Sequence, residues 1–208
     1  MADVAELIIQ LKQMVDESTT GTYPSDGECI DWFNEAQDII AEETACLTES
    51  VSATMDVSVA TTIAVPSDWI YGKAFVWSTN TFLTYCEIEN LLECGYDLTT
   101  TGTPSYWYIH DGYIRFYPVP SADTAYKYYY IRTAAALVTT SSTPQIPTHW
   151  HKMLTKFGAY RFWQKEEEPQ QAAIFLGEFN TDLTRAKMTQ KRRGLRKQYR
   201  VKDVCGFA

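Results

Sequence analysis

Between residues 4 and 15 the apolar positions Leu7, Ile8, Leu11, Met14 and Val15 recur in three- and four-residue steps, with Glu6, Gln10, Lys12 and Gln13 between them. That spacing predicts an amphipathic helix, closed by the Gly- and Pro-bearing run ESTTGTYPSDG. Ser25 and Glu28 stand at capping-box spacing, with Asp26 and Glu28 suited to a helix N-terminus. A second helix is therefore expected from about Asp26 to Cys46, with Ile30, Phe33, Ala36, Gln37 and Ile40 as its apolar stripe and Trp32 off that stripe. From Val51 the period changes to two. Val51, Ala53, Met55, Val57 and Val59 alternate with Ser52, Thr54, Asp56 and Ser58, which predicts a half-buried strand, extended or repeated by Thr61 to Val65. Pro66-Ser67-Asp68 breaks the chain, with Trp69 and Ile70 anchoring a short turn. Tyr71 to Leu83 reads as one strand, and Glu87 to Cys94 fits either a short helix or a strand.

The clearest local pattern is YWYIHDGYIRFYPVP, Tyr106 to Pro120. Tyr106, Tyr108 and His110 alternate with Trp107 and Ile109; beyond the centre, Ile114 and Phe116 alternate with Tyr113, Arg115 and Tyr117. Asp111-Gly112 can adopt the positive φ of a tight reversal, so a β-hairpin is predicted. Pro118 and Pro120 lack backbone donors and should end its pairing. Another strand is expected over Ala125 to Ala134, then a Thr/Ser-rich loop from Thr139 to Pro147. Helical spacing returns with Trp150, Met153, Leu154, Phe157, Tyr160 and Arg161 after Pro147-Thr148. Pro169 should end that helix. A last helix is expected from Ala172 to about Arg193, buried along Ala173, Phe175, Leu176, Phe179, Leu183 and Ala186 and ended by Gly194. The predicted architecture is α+β: a helical bundle of about four helices interrupted by an antiparallel β lobe, with an extended basic C-terminal tail. Its divisions are 1–48 (helical hairpin), 49–143 (β lobe), 144–193 (helices completing the bundle) and 194–208 (tail).

Composition changes this picture mainly through charge. The net charge of −8 hides a segregation. Up to Thr184 there are 9 Lys/Arg against 25 Asp/Glu, whereas 9 Lys/Arg and no acid lie from Arg185 to Lys202. An acidic body disfavours wrapping nucleic acid over its surface. The basic stretch, with Leu195, Tyr199 and Val201 set between its charges, favours docking on another protein or on a neighbour in an assembly. Among the 14 tyrosines, Tyr106, Tyr108, Tyr113, Tyr117, Tyr128 and Tyr130 could form an interaction face, or simply belong to a tyrosine-rich sheet.

Candidate chemistry is sparse. Cys29, Cys46, Cys86, Cys94 and Cys205 contain no CxxC pair, and Met1-Ala2-Asp3 leads straight into a helix, so reduced, cytoplasmic thiols are expected. No apolar run has the length of a membrane span. His149 and His151, two apart on a helix, point about 200° from one another and do not suit a shared metal. No GxSxG, Walker, GxGxxG or HExxH pattern occurs. No cofactor, metal or catalytic residue is assigned.

The chain resembles the head-to-tail connector (adaptor, or head-completion) proteins of tailed bacteriophages. The resemblance is carried by DWFNEAQDIIA (Asp31 to Ala41), VPSDWI (Val65 to Ile70), YWYIHDGYIRFYPVP, YKYYYIR (Tyr126 to Arg132) and PQIPTHWHKMLTKFGAYRF (Pro144 to Phe162), covering about Ala5 to Lys202. It implies a non-enzymatic virion protein at the neck between capsid and tail, assembled in the host cytoplasm. Identical copies would form a dodecameric ring beneath the portal protein, hold a downstream tail or nozzle protein, and let genomic DNA pass without specific binding. The C-terminal segment would then grip the portal through Arg185, Lys187, Lys191, Arg192, Arg193, Leu195, Arg196, Lys197, Tyr199, Arg200, Val201 and Lys202. The alternatives are a protein- or carbohydrate-binding module using the aromatic β face, and a small virion hydrolase.

Overall fold

The structure, a computed structural model, describes residues 3–78 and 81–204, with side chains described as far as Lys191. It is a mixed α/β protein with five α-helices and a curled sheet among the described residues. Two units separate: a helical one of residues 1–47 and 133–208, and a β unit of residues 48–132.

In the helical unit, α1 (Val4–Met14) begins at Asp3, whose carboxylate accepts from the Glu6 backbone N–H at 2.9 Å. The Val4 and Ala5 N–H groups, otherwise orphaned at a helix start, donate to Ser142 O and Thr140 O. α2 (Asp26–Thr44) starts with the expected capping box: Glu28 N–H donates to Ser25 Oγ, and Ser25 N–H to Glu28 Oε2 at 3.1 Å. Its buried side is Cys29, Phe33, Ala36, Gln37, Ile40, Ala41 and Thr44. Ile30, expected in the stripe, is only half-buried.

A 3-10 turn (Thr148–Trp150) leads into α4 (His151–Lys165), and α5 spans Pro169–Val204. The short α3 (Ile88–Glu93) lies in the β unit. Helix α4 packs against α1, α2 and α5, which is why its buried residues nearly encircle it. At Gly158 an added Cβ would sit 3.0 Å from Leu11 Cδ2 and 3.1 Å from Phe33 Cε1, so the small residue sets how closely α1, α2 and α4 approach.

Two sequence expectations are corrected here. Pro169 does not end α4, which stops at Lys165 with Glu166 as its C-cap; it opens α5, because the first helical turn needs no N–H from that position. Gly194 does not stop α5, which continues to Val204 in place of an extended tail. One mid-helix glycine costs only about 1 kcal/mol, and strong helix formers flank it.

The β unit is one seven-stranded sheet plus a two-stranded pair. In chain order the strands are β1 (Thr48–Met55), β2 (Ile63–Ala64), β3 (Trp69–Trp77), β4 (Thr81–Tyr85), β5 (Thr101–Gly102), β6 (Tyr106–His110), β7 (Tyr113–Tyr117), β8 (Val119–Pro120) and β9 (Thr124–Arg132). The sheet order is β1-β9-β3-β4-β6-β7-β2. The first and last strands of the unit lie side by side, Thr48 opposite Ile131.

The hairpin β6–β7 forms as predicted, with His110 opposite Tyr113 and positive φ at Asp111 and Gly112. Trp69 and Ile70 open β3 instead of a turn, and the single strand expected over Tyr71 to Leu83 is two, broken after Trp77 where Ser78 takes φ 58°. Residues 79 and 80 of that stretch lie outside the described residues. α3 (Ile88–Glu93) resolves the ambiguous segment as helix. It lies in the crossover from β4 to β6, so these two strands pair in parallel, Thr84 opposite Tyr106. Val119–Pro120 pairs again, in parallel with Thr101–Gly102. The lobe is therefore not purely antiparallel.

Its core is aromatic. Phe75, fully buried, has Trp77, Trp107, Phe116, Tyr126 and Tyr128 rings within 6.4 Å.

Candidate docking surfaces

The hairpin has two faces, and both are covered. Trp107, Ile114 and Phe116 join the main aromatic core, while Tyr108 and Tyr117 pack with Leu91 of α3, supported by Cys86, Ile88 and Leu98. Four of the six tyrosines considered as an interaction face are thus interior: Tyr108, Tyr117, Tyr128 and Tyr130. Tyr130 OH also donates to Asp68 Oδ1 at 3.0 Å; burial first, then that carboxylate, push its pKa up to about 12. Tyr106 is half-buried, and Tyr113 is 45% exposed. Period-two alternation reveals which residues share a face but not whether that face is covered, and here α3 covers it. The exposed aromatics of the unit are instead Tyr71, Phe82, Tyr85, Tyr96 and Tyr113.

The histidines are dispersed. His110 lies 3.2 Å from Asp111 at the hairpin turn. His149 is exposed beside the Trp150 ring, whereas His151 is buried with Nε2 3.1 Å from Ile146 O. Burial lowers its pKa. Among the described residues no group of His, Cys, Asp or Glu has the arrangement to hold a metal ion, and no helix is long and apolar enough to cross a membrane. Cys29, Cys46, Cys86 and Cys94 are free thiols, and burial pushes Cys29 up to about 12, away from nucleophilic thiolate character. Cys205 lies outside the described residues. Lys12, placed by spacing on the polar side of α1, is buried; its Nζ donates to Gly21 O at 2.8 Å and faces Asp26 at 3.8 Å, which ties the loop before α2 to α1.

Charge is where this chain departs most from an ordinary surface. α2 contains Asp26, Glu28, Asp31, Glu35, Asp38, Glu42 and Glu43, and no Lys or Arg. Asp31, Glu35, Asp38 and Glu42 are spaced four, three and four apart, forming one line opposite the buried side. Like charges at these spacings cost about 0.2–0.5 kcal/mol per pair, so the helix holds them at some expense. Glu35 is engaged by Arg161 at 2.6 Å and Glu28 by Lys165, both from α4. Burial raises the Asp38 carboxyl, opposed by a hydrogen bond from the Ala134 backbone.

The opposite charge gathers on α5. Arg185 is 75% exposed and 3.3 Å from Asp182; Lys187 pairs with Glu43 of α2; Lys191 is exposed. For Arg192, Arg193, Leu195, Arg196, Lys197, Tyr199, Arg200, Val201 and Lys202 the backbone is helical, and their side chains lie outside the described residues. At about 100° per residue the cationic positions are distributed around the whole helix.

The family model described as SU10 adaptor protein matches residues 2–201. The chain belongs to the SU10 adaptor protein family. It is accordingly a structural head-to-tail adaptor of a tailed phage, a neck component whose family implies interaction with portal and tail proteins. A comparison with curated proteins returns no match.

Proposed function

We propose that this adaptor assembles as a ring of identical copies beneath the phage portal, without bond-making chemistry of its own. The helical unit supplies the ring contacts, with α1, α2, α4 and α5 acting as a four-helix wall, and the β unit offers a surface to the next tail or nozzle protein. The observation that carries this reading is the adaptor-family match across residues 2–201. The charge segregation supports it. The basic stretch from Arg185 to Lys202 is the element that docks on the portal, and the acidic body presents like charge to passing DNA, denying it a tight phosphate site.

Native mass spectrometry of the protein with and without portal tests ring formation and docking together. Deleting residues 185–208 should abolish portal binding while circular dichroism retains the helical and strand signals. A truncated protein that binds portal as the full chain does would overturn the docking assignment.

A further inference from the structure

Beyond Lys187, helix α5 cannot reach Asp31, Asp38 and Glu42 of its own α2. Lys165, at the end of α4, pairs with Glu28 near the start of α2, and Lys187 pairs with Glu43 near its end. From Pro169 to Lys187, then, α5 runs alongside α2 in the same direction and draws level with its last turn. The 17 residues from Met188 to Val204 continue past that turn for about 25 Å. In a straight helix each further residue recedes from Asp31, Asp38 and Glu42. Those three are exposed, and the ion pairs of α2 among the described residues are made by Asp26, Glu28, Glu35 and Glu43.

We infer that the acidic line of α2 receives the basic α5 extension of a second copy of this chain. The two elements match in sign and in length. Asp31 to Glu42 covers the same number of helical steps as Lys191 to Lys202, roughly 16 Å each. Every copy carries one of each surface at different places, so the contact is heterologous and propagates from copy to copy, the condition for a ring. Because the cationic positions go round the helix, one side of the extension can face the neighbour while another remains for the portal. This inference rests on the ring reading above and names the partner that the acidic surface takes.

The test uses the full-length protein with charges exchanged. One variant combines Asp31→Lys, Asp38→Lys and Glu42→Lys; the other combines Lys191→Glu, Arg192→Glu, Arg196→Glu, Lys197→Glu and Arg200→Glu. Sedimentation velocity should show the wild type self-associating at about 50 mM salt and weakening at least about tenfold at about 500 mM. Each variant alone should stay monomeric, since both of its surfaces then bear one sign. An equimolar mixture of the two should regain association through alternating contacts. A wild type that remains monomeric at low salt up to its solubility limit, a variant that associates like the wild type, or a mixture that fails to associate would overturn the inference. Should the α2 variant lose its helical signal, the α5 variant and the wild-type salt dependence decide alone. Portal binding is followed in parallel. The α2 variant keeps its basic extension and should still bind portal, so loss of the copy-to-copy contact and loss of portal docking are separately visible.

Discussion

Gly72 should be intolerant of a single methyl group. It sits in β3 beneath two indoles: a Cβ built there lies 2.2 Å from Trp107 Cη2 and 2.9 Å from Trp69 Cζ2. Neither ring has an easy retreat. Trp107 is 3% exposed, set against Phe75 at 6.0 Å and edge-on to Tyr85 at 4.9 Å, while Trp69 stacks on Tyr130 at 5.0 Å. Replacing a strand glycine by alanine would ordinarily stabilise by about 0.5–1 kcal/mol through the unfolded chain. Overpacking a closed core costs about 1–3 kcal/mol, and a separation this short belongs at the upper end. The net expectation for Gly72→Ala is a loss of about 1–2 kcal/mol. Gly27, in the first turn of α2 with nothing within 4 Å of an added Cβ, is the matched control; Gly27→Ala should gain up to about 1 kcal/mol. Urea unfolding followed by tryptophan fluorescence and near-ultraviolet circular dichroism reads both. Trp107→Phe removes the Cη2 atom, so adding it to Gly72→Ala should recover part of the loss in a double-mutant cycle. Stability of Gly72→Ala at or above wild type would refute the close-approach argument.

Further outcomes follow from the helical unit. Gln37 Nε2 donates to Ala135 O at 3.0 Å, and its Oε1 accepts from Gln145 N–H at 2.9 Å; Gln37→Ala removes both bonds and, at about 0.5–1.5 kcal/mol each, should cost about 1–3 kcal/mol in urea denaturation. His151 has a lowered pKa because it is buried, so the folded state binds its proton less readily than the unfolded chain. Stability should be full above the unfolded value near 6.5 and fall as pH drops from there toward the folded pKa. His151→Gln should flatten that slope in thermal melts taken between about pH 5 and 7.5.

Much of this arrangement is legible in the sequence wherever one periodicity governs. The capping residues Ser25 and Glu28, the α2 stripe around Phe33 and Ile40, and the Asp111-Gly112 reversal depend on neighbours within a few positions. What the sequence does not reveal depends on distant partners. Tyr108 and Tyr117 look surface-bound until α3 covers them, and Lys12 looks solvated until the Gly21 carbonyl meets its ammonium. The β4–β6 parallel pairing leaves no local trace, since it arises from where the crossover returns. Of the proposed docking surfaces, the basic stretch is readable by counting charge. The acidic line of α2 is harder to read from DWFNEAQDIIAEE, because its carboxylates align only once helical spacing is combined with the position of the buried side.

Because β1 and β9 are antiparallel neighbours, with Thr48 opposite Ile131, the chain leaves for the β unit and comes back through points about 5 Å apart. A segment inserted through so narrow a doorway behaves as a cassette. Exchanging it for another lobe, or for a plain turn, would leave the connections of the helices unchanged.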